Sequence, residues 1–252
     1  MAPGITSGPA QSSTTTNTNS HVGKPSQQLF HHSLITTAFD PLKFRAAAAL
    51  QWQLSKNAPN LAALDTDTRL IASPYNDVPH LLDLETLDTQ NRLLALALSA
   101  LRPIRDDYAT APYTESFNWD DIFHLVRTFA DAESHTWTQQ SFYVVVFRSK
   151  LKPDADADRL YALDAHSHQE AIASGGLLKY WFGTKDQDHQ NLATCVWRSR
   201  TDARLGGRGP WHAKARMAAR ELYEKITFTT LELVVGDGAE SWTVRDWKDD
   251  TQ

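Results

Sequence analysis

The sequence predicts an α+β fold in which a ferredoxin-like β-α-β-β-α-β sheet follows a helical extension. Three observations predict it: the last part of the chain alternates strand-like and helix-like runs, the strand-helix-strand unit occurs twice, and the first half is mostly helical in pattern. The expected organisation is a disordered tail over 1–28, a helical N-terminal region over 29–135 that packs on the core, and a ferredoxin-like domain over 136–252.

The tail and the N-terminal helices follow from composition and from helix-start signals. Residues 1–28 are rich in Ser, Thr, Gly and Pro and carry almost no large apolar side chain, so burial cannot offset their ordering entropy. Helices are predicted after Asp40-Pro41, after Asp88 and after Asn118, since each has an N-cap type residue followed by good helix formers. An aromatic residue before Asn118 also fits a hydrophobic staple.

The connection over 102–117 is long, polar and aromatic, and it carries Tyr108 and Tyr113. Connections of that length often act as binding loops or lids, which makes both phenols candidate substrate-binding residues. The alternative is a surface loop whose rings fill gaps.

The elements of the ferredoxin-like domain follow in chain order from apolar alternation, helix formers and glycines. They are strand 141–149, helix 156–174 ended by Gly175-Gly176, strands 177–183 and 191–199, helix 210–224 begun by Pro210, strand 226–235 and a trailing strand over 240–247. Both crossovers in such a sheet are right-handed, so both helices are expected on one face.

The two faces of this predicted sheet are both apolar. Strand 141–149 has apolar side chains on either side, and strand 177–183 places Leu178, Tyr180 and Phe182 against Leu177 and Trp181. The face away from the crossover helices must therefore be covered, either by the helical first half or by a second subunit.

Composition bounds the class of protein. With 252 residues, 41% hydrophobic and 22% charged, the chain resembles an ordinary globular protein, and a net charge of −5 gives no reason to expect nucleic acid as a partner. The single cysteine, Cys195, excludes a disulfide framework and a Cys-based zinc site and favours a cytoplasmic setting. No stretch approaches the roughly 20 apolar residues of a membrane span, so no membrane partner is expected.

Residues 104–247 contain a set of distinctive segments: DDYATAPY, ESFNWDDIF, YVVVFRS, HQEAIASGGLLKYWFG, LATCVWRS, and a P-x-H followed by a helix that ends in LYE. As a set they resemble an uncharacterised (UPF-type) protein family common in fungi. Shorter bacterial relatives correspond to 141–235. The resemblance implies a dimeric α+β barrel, in which two ferredoxin-like sheets pack face to face in a homodimer.

Proteins that have this barrel type include several classes of enzyme. They include cofactor-independent monooxygenases acting on phenolic substrates, polyketide cyclases and isomerases, and haem enzymes, and their pocket usually lies between the helices and the concave sheet face. The likeness is one of fold and does not by itself assign a reaction. Haem stays open as a ligand, because a His on a barrel helix can be an axial ligand; no other cofactor is expected.

Two histidines are the candidate catalytic residues. His168 shares a helix face with Tyr161, Ala165 and Ile172 and is expected to point toward the sheet, where an imidazole can act as a general acid or base. His212 lies in the first turn of the second crossover helix, where the helix N-terminus disfavours protonation. The alternative for His168 is a core histidine satisfied by hydrogen bonds, and the alternative for His212 is a residue at the boundary of the packed helix face.

The remaining candidates are aromatic and are expected to bind substrate: Tyr108, Tyr113, Tyr180, Trp181, Trp197 and Tyr223. Strand aromatics are more often core, which is the alternative for each. No metal site is expected, since His166 and His168 are two residues apart on a helix and point away from each other.

Three functions compete. The first is a small-molecule enzyme acting on an apolar or aromatic metabolite in specialised metabolism, by cyclisation, isomerisation or cofactor-independent oxygenation; the second is a non-catalytic binding or scaffold dimer. The third is an acyl-coenzyme A transferase, because Arg204-x-x-Gly207-x-Gly209 fits an acetyltransferase phosphate loop. Pro210 opposes the third, since it removes an N–H at the helix start.

Overall fold

A computed structural model describes residues 69–75 and 77–248. The predicted tail over 1–28 and the predicted helix after Asp40-Pro41 lie outside the described residues. Across the described part of the chain, no helix combines the length and the apolar character that a membrane crossing would need.

The described residues form short strands and helices first and a larger sheet with its crossover helices afterwards. In chain order the elements are β1 Arg69–Leu70, β2 Leu82–Asp83, α1 Thr89–Leu98, α2 Tyr113–Ser116, α3 Trp119–Ala132, β3 Gln140–Leu151, α4 Ala157–Ser174, β4 Leu177–Phe182, β5 Gln190–Trp197, α5 Arg200–Gly206, α6 Pro210–Leu222, β6 Tyr223–Val235 and β7 Trp242–Asp246.

The main sheet has the ferredoxin-like topology that the sequence predicts. Its five strands lie in the order β4-β5-β3-β6-β7, and every neighbouring pair is antiparallel. Helix α4 connects β3 to β4 and α6 connects β5 to β6, so each crossover spans one intervening strand. The predicted α+β fold class is confirmed, and the trailing strand β7 extends the sheet at the β6 edge.

Helix boundaries follow the predicted capping residues in most cases. The Asp156 and Asp88 carboxylates each accept an N–H from the first turn of α4 and α1, at 3.0 Å in both cases, and Gly175 ends α4 with φ of 83°. Asn118 does precede α3, but the prediction that its side chain caps the helix is wrong. Its Oδ1 accepts the backbone N–H of Arg102 at 2.9 Å instead, which ties the helix start to the preceding connection.

The face of the sheet away from α4 and α6 is covered by the N-terminal region of the same chain. Phe142, Val144 and Val146 of β3 pack in one buried cluster with α1 and α3, whereas Tyr143 lies in a second cluster on the crossover-helix side. Of the two predicted covers, the described structure shows the helical first half. A homodimer would use another surface, and its existence stays a prediction.

Strand β4 departs from the predicted alternation. The pairing of β4 with β5 shifts between Leu177 and Lys179, so the period of two is interrupted there. Leu178 consequently lies with Trp181 toward the N-terminal region and not with Tyr180, which corrects the predicted grouping.

The glycine-containing stretch after β5 is more ordered than the sequence suggests. Arg204 lies inside α5, which ends at Gly206; the Ser199 hydroxyl accepts the Asp202 N–H at 3.1 Å at its start. A Cβ at Gly206 would lie 2.4 Å from the ring of Trp197, so glycine permits this close approach. The first part of the predicted phosphate-loop stretch, Arg204 to Gly206, is thus the end of a helix that packs on β5.

Candidate functional site

Five side chains meet between α4 and the crossover-helix face of the sheet, and we call them the acid–base cluster: Tyr75, His80, Asp164, His168 and Tyr180. Asp164 and His168 are four residues apart on α4 and therefore share a helix face. Tyr180 lies on the edge strand β4, and its N–H donates to the carbonyl of Ala72 at 2.9 Å. This backbone bond anchors the segment that carries Tyr75 and His80.

Two imidazoles are hydrogen bonded at the centre of the cluster. Nδ1 of His80 lies 2.8 Å from Nδ1 of His168, and the rings stack with centroids 5.0 Å apart. Burial lowers the pKa of His168 well below its usual range, and the neighbouring His80 and His212 lower it further. Burial also lowers the pKa of His80, although Asp77 opposes the change. Both rings are therefore neutral at neutral pH.

The Asp164 carboxyl group accepts hydrogen bonds from two phenols. The Tyr75 hydroxyl donates at 2.6 Å and the Tyr180 hydroxyl at 2.7 Å. Burial raises the pKa of Asp164, while the two hydroxyls and His212 act in the opposite direction. Burial and the nearby Asp164 raise the pKa of both tyrosines, so the phenols keep their protons.

The second ring nitrogen of His168, Nε2, has no hydrogen-bond partner among the described residues, and the residue is only 4% exposed. The rings of Tyr75 and Tyr180 each lie 5.4 Å from the imidazole centroid. A neutral imidazole that is fixed through one nitrogen and free at the other is a suitable general base or acid.

His212 lies beside the cluster and is held by Glu170 of α4. The Glu170 carboxylate accepts the backbone N–H of Trp211 at 2.7 Å and of His212 at 3.1 Å, and it lies 2.9 Å from Nδ1 of His212. A Cβ at Gly209 would come within 2.1 Å of this carboxylate. The anion position at the start of α6 is therefore filled by the chain's own carboxylate.

Three of the predicted aromatic residues lie on the same side of the sheet as His168. Tyr180 and Trp197 share one buried cluster with Tyr75. Burial raises the pKa of Tyr223, and the charge of Asp164 raises it further, which places this phenol within electrostatic reach of the cluster.

The other three predicted aromatic residues lie across the sheet from His168. Trp181 packs in the cluster formed with the N-terminal region, Tyr113 shares a 2.8 Å hydrogen bond with the Thr194 hydroxyl, and Tyr108 donates to the Thr184 carbonyl at 2.7 Å. The structure therefore does not bring Tyr108, Tyr113 and Trp181 together with the candidate catalytic histidines.

The 102–117 connection is fixed to the sheet by Arg148 of β3. Its guanidinium donates to the carbonyl of Ala111 at 2.6 Å and also to that of Ala109. Charged donors make strong hydrogen bonds to carbonyls, so the middle of this connection is held in place. The geometry matches a surface loop whose rings fill gaps.

Sequence reasoning missed Tyr75, His80 and Asp164. Asp164 was open to detection, because it precedes His168 by one helical turn on the buried face, whereas Tyr161 on the expected face is 41% exposed. Tyr75 and His80 belong to an irregular segment without periodicity, and nothing local indicates their partner. No group of three or more His, Cys, Asp or Glu side chains suited to a metal ion occurs within the described ranges.

Comparison with known proteins identifies the family. The model of the family described as PB2B2.08-like matches residues 71–246, which is more than half of the chain. The chain belongs to the PB2B2.08-like family. A family relative, UPF0643 protein PB2B2.08 of Schizosaccharomyces pombe (strain 972 / ATCC 24843), is 39% identical over 193 residues, covering 73% of this chain and 87% of the relative. The predicted membership of a fungal family is confirmed, and the matched region includes the segment with Tyr75 and His80.

Solved structures similar to this member of the PB2B2.08-like family cover about a third of it. Rv0793 from Mycobacterium tuberculosis has 22% identity and a TM-score of 0.32, covering 36% of this chain and 92% of its own. A putative antibiotic biosynthesis monooxygenase from Nitrosomonas europaea has 14% identity and a TM-score of 0.33, covering 37% and 91%. SnoaB, a cofactor-independent oxygenase from Streptomyces nogalater, has 14% identity in its N63A mutant and a TM-score of 0.31, covering 35% and 89%.

Proposed function

We propose that the protein is a small-molecule enzyme that moves protons on an apolar or aromatic metabolite, with His168 as the base. The observation that carries the proposal is the buried Nε2 of His168, which lacks a partner among the described residues while the opposite ring nitrogen is bonded to His80. A core histidine satisfied at both nitrogens would not leave this atom free.

The surrounding groups suit proton transfer at a carbon or oxygen next to an aromatic ring. His168 accepts a proton at Nε2, and the low pKa caused by burial favours its prompt return to a different atom of the substrate. Asp164, held by two phenols that keep their protons, supplies a second acid–base group on the same side. This chemistry serves isomerisation and cyclisation, and it serves oxygenation when dioxygen is the oxidant of a deprotonated substrate.

The test measures proton exchange and does not require the natural substrate to be identified. Purified protein in D₂O is incubated with a panel of phenols, anthrones and β-diketones, and deuterium incorporation and product formation are followed by mass spectrometry. We expect turnover of at least one class and a loss of at least ~100-fold in His168→Gln. The matched control is His124→Gln, since His124 is exposed on α3. Full turnover by a folded His168→Gln variant would refute the assignment.

A non-catalytic binding or scaffold protein remains the second candidate, and one observation favours it. The ring of Tyr75 stacks on His80 at 4.7 Å, and both rings lie against His168, as in an interior that is filled by its own side chains. Under this alternative no compound of the panel exchanges, and the nitrogen resonances of His168 do not respond to any of them. An absorbance spectrum in the Soret region tests for bound haem in the same preparation.

A further inference from the structure

We propose that His80 is a positioning residue that fixes the tautomer of His168, so that Nδ1 of His168 carries the proton and Nε2 presents a lone pair. The role of His168 as a base rests on the proposed function, but its tautomer is a property of the protein without substrate. It can therefore be tested without any substrate.

The contact between the two rings restricts their protons. With Nδ1 of His80 only 2.8 Å from Nδ1 of His168, one nitrogen must donate and the other must accept. Two bare nitrogens would repel, and two N–H groups would clash. Because both rings are neutral, the tautomer of one ring fixes the tautomer of the other.

The surroundings of His80 decide which ring donates. Nε2 of His80 lies 3.6 Å from the Asp77 carboxylate and 3.1 Å from the side-chain amide nitrogen, Nε2, of Gln169. The Asp77 carboxylate favours a proton on this nitrogen of His80. The amide nitrogen of Gln169 would instead donate to it, but the two orientations of an amide have the same shape, and we assign the flipped one, in which the Gln169 oxygen accepts the Nε2 proton of His80. With Nε2 protonated, Nδ1 of His80 must accept, so His168 donates.

The opposite assignment leaves a buried donor unsatisfied. It would put the His168 proton on Nε2, which has no hydrogen-bond acceptor among the residues that the structure describes. Buried N–H groups without an acceptor are rarer in folded proteins than acceptors that lack a donor. Both arguments select the same tautomer.

This arrangement also gives the accepted proton a route. When Nε2 of His168 takes a proton, the Nδ1 proton of His168 can pass to Nδ1 of His80. The balance is one proton gained at Nε2 and one transferred between the rings. The positive charge then resides on His80 beside the Asp77 carboxylate, which stabilises it better than the buried His168 site does.

The experiment is long-range ¹H–¹⁵N correlation NMR on the full chain with ¹⁵N-labelled histidine, which separates protonated from bare ring nitrogens. The signals are assigned with His168→Gln and His80→Phe. In the wild type we expect a bare Nε2 and a protonated Nδ1 on His168, and the reverse on His80. A protonated Nε2 on His168 overturns the proposal.

Two variants at position 80 distinguish positioning from packing. His80→Phe keeps an aromatic ring against Tyr75 but removes the acceptor, so His168 should change to the Nε2–H tautomer. His80→Asn retains an acceptor near the former Nδ1 and should keep the wild-type tautomer. An unchanged His168 tautomer in a folded His80→Phe variant overturns the role of His80. The proposed function is refuted by a different result, full turnover by a folded His168→Gln variant.

Discussion

Replacing Glu170 with alanine is expected to destabilise the protein by about 2–3 kcal/mol. The Glu170 carboxylate accepts two backbone N–H groups of the first turn of α6 and contacts the His212 ring. The substitution removes an anion from a helix N-terminus, worth about 0.3–2 kcal/mol, together with hydrogen bonds to a charged group, which typically contribute about 1.5–3 kcal/mol each. Because the site is partly open to solvent, water can satisfy some of these N–H donors in the variant. The expected loss of about 2–3 kcal/mol is therefore smaller than the sum of the separate contributions.

The assay is urea unfolding with a matched control on the same pair of helices. Glu221 of α6 forms an ion pair with Arg159 of α4, but its side chain is 63% exposed, so Glu221→Ala should cost less than about 0.5 kcal/mol. Glu170→Ala should also lower the melting temperature by roughly 4–10 °C for a chain of this size. Equal losses in the two variants would refute the argument that Glu170 is a structural anion of α6.

The loss should depend on pH in a defined direction. Partial burial would raise the pKa of Glu170, but the hydrogen bonds from Trp211 and His212 lower it on balance below the ordinary value of 4.5. In the unfolded chain Glu170 has the ordinary pKa, so the stabilisation by its carboxylate is complete above that value. It is lost as the pH falls through the lower pKa of the folded state. The difference between wild type and Glu170→Gln should shrink in acid; a difference that grows in acid would contradict this sign.

Three further outcomes follow from the structure. Arg148→Ala should cost roughly 3 kcal/mol and increase amide hydrogen exchange across 102–117 at least about tenfold, because the carbonyls of that connection lose their charged donor; unchanged exchange would contradict this. Burial raises the pKa of Asp164 above 3.8, so folding favours the protonated carboxyl group. Its contribution to stability is therefore complete below 3.8 and is lost as the pH rises through the folded-state pKa. Asp164→Asn should therefore gain stability relative to wild type with rising pH in urea titrations, and a constant difference would argue against it. Phe228→Ser should cost roughly 0.5–1.5 kcal/mol, because the ring is 58% exposed but makes an edge contact with Phe147 at 5.1 Å, and a loss well above this range in urea unfolding would contradict the exposure of the ring.

The order of elements was predictable because its signals are local. Asp156 and Gly175 mark both ends of α4, and the alternation of apolar residues marks β3 and β5. The inward direction of His168 followed from helix periodicity for the same reason. The β4 irregularity at Leu178 and the short helix that ends at Gly206 were missed, because tertiary packing decides them and the sequence shows only apolar residues and glycines.

The partners of His168 were beyond sequence reasoning for a different reason. His80 is 88 positions away and reaches the cluster through a segment whose Ala72 carbonyl accepts the Tyr180 N–H at the edge of β4. No periodicity relates the two positions. A sequence pattern can indicate that a histidine is buried, but the nitrogen that it leaves free depends on contacts made by distant parts of the chain.

The phosphate-loop interpretation of the stretch before α6 can be decided by binding. Arg204 is part of α5, Pro210 lacks an N–H, and the donors of Trp211 and His212 already hold the Glu170 carboxylate. A pyrophosphate would have to displace this carboxylate and overcome its charge. We therefore expect no saturable binding of acetyl-coenzyme A by titration calorimetry, in the wild type or in Glu170→Gln. Binding by the variant alone would show that the carboxylate blocks a usable site, whereas saturable binding by the wild type would overturn the structural role of Glu170.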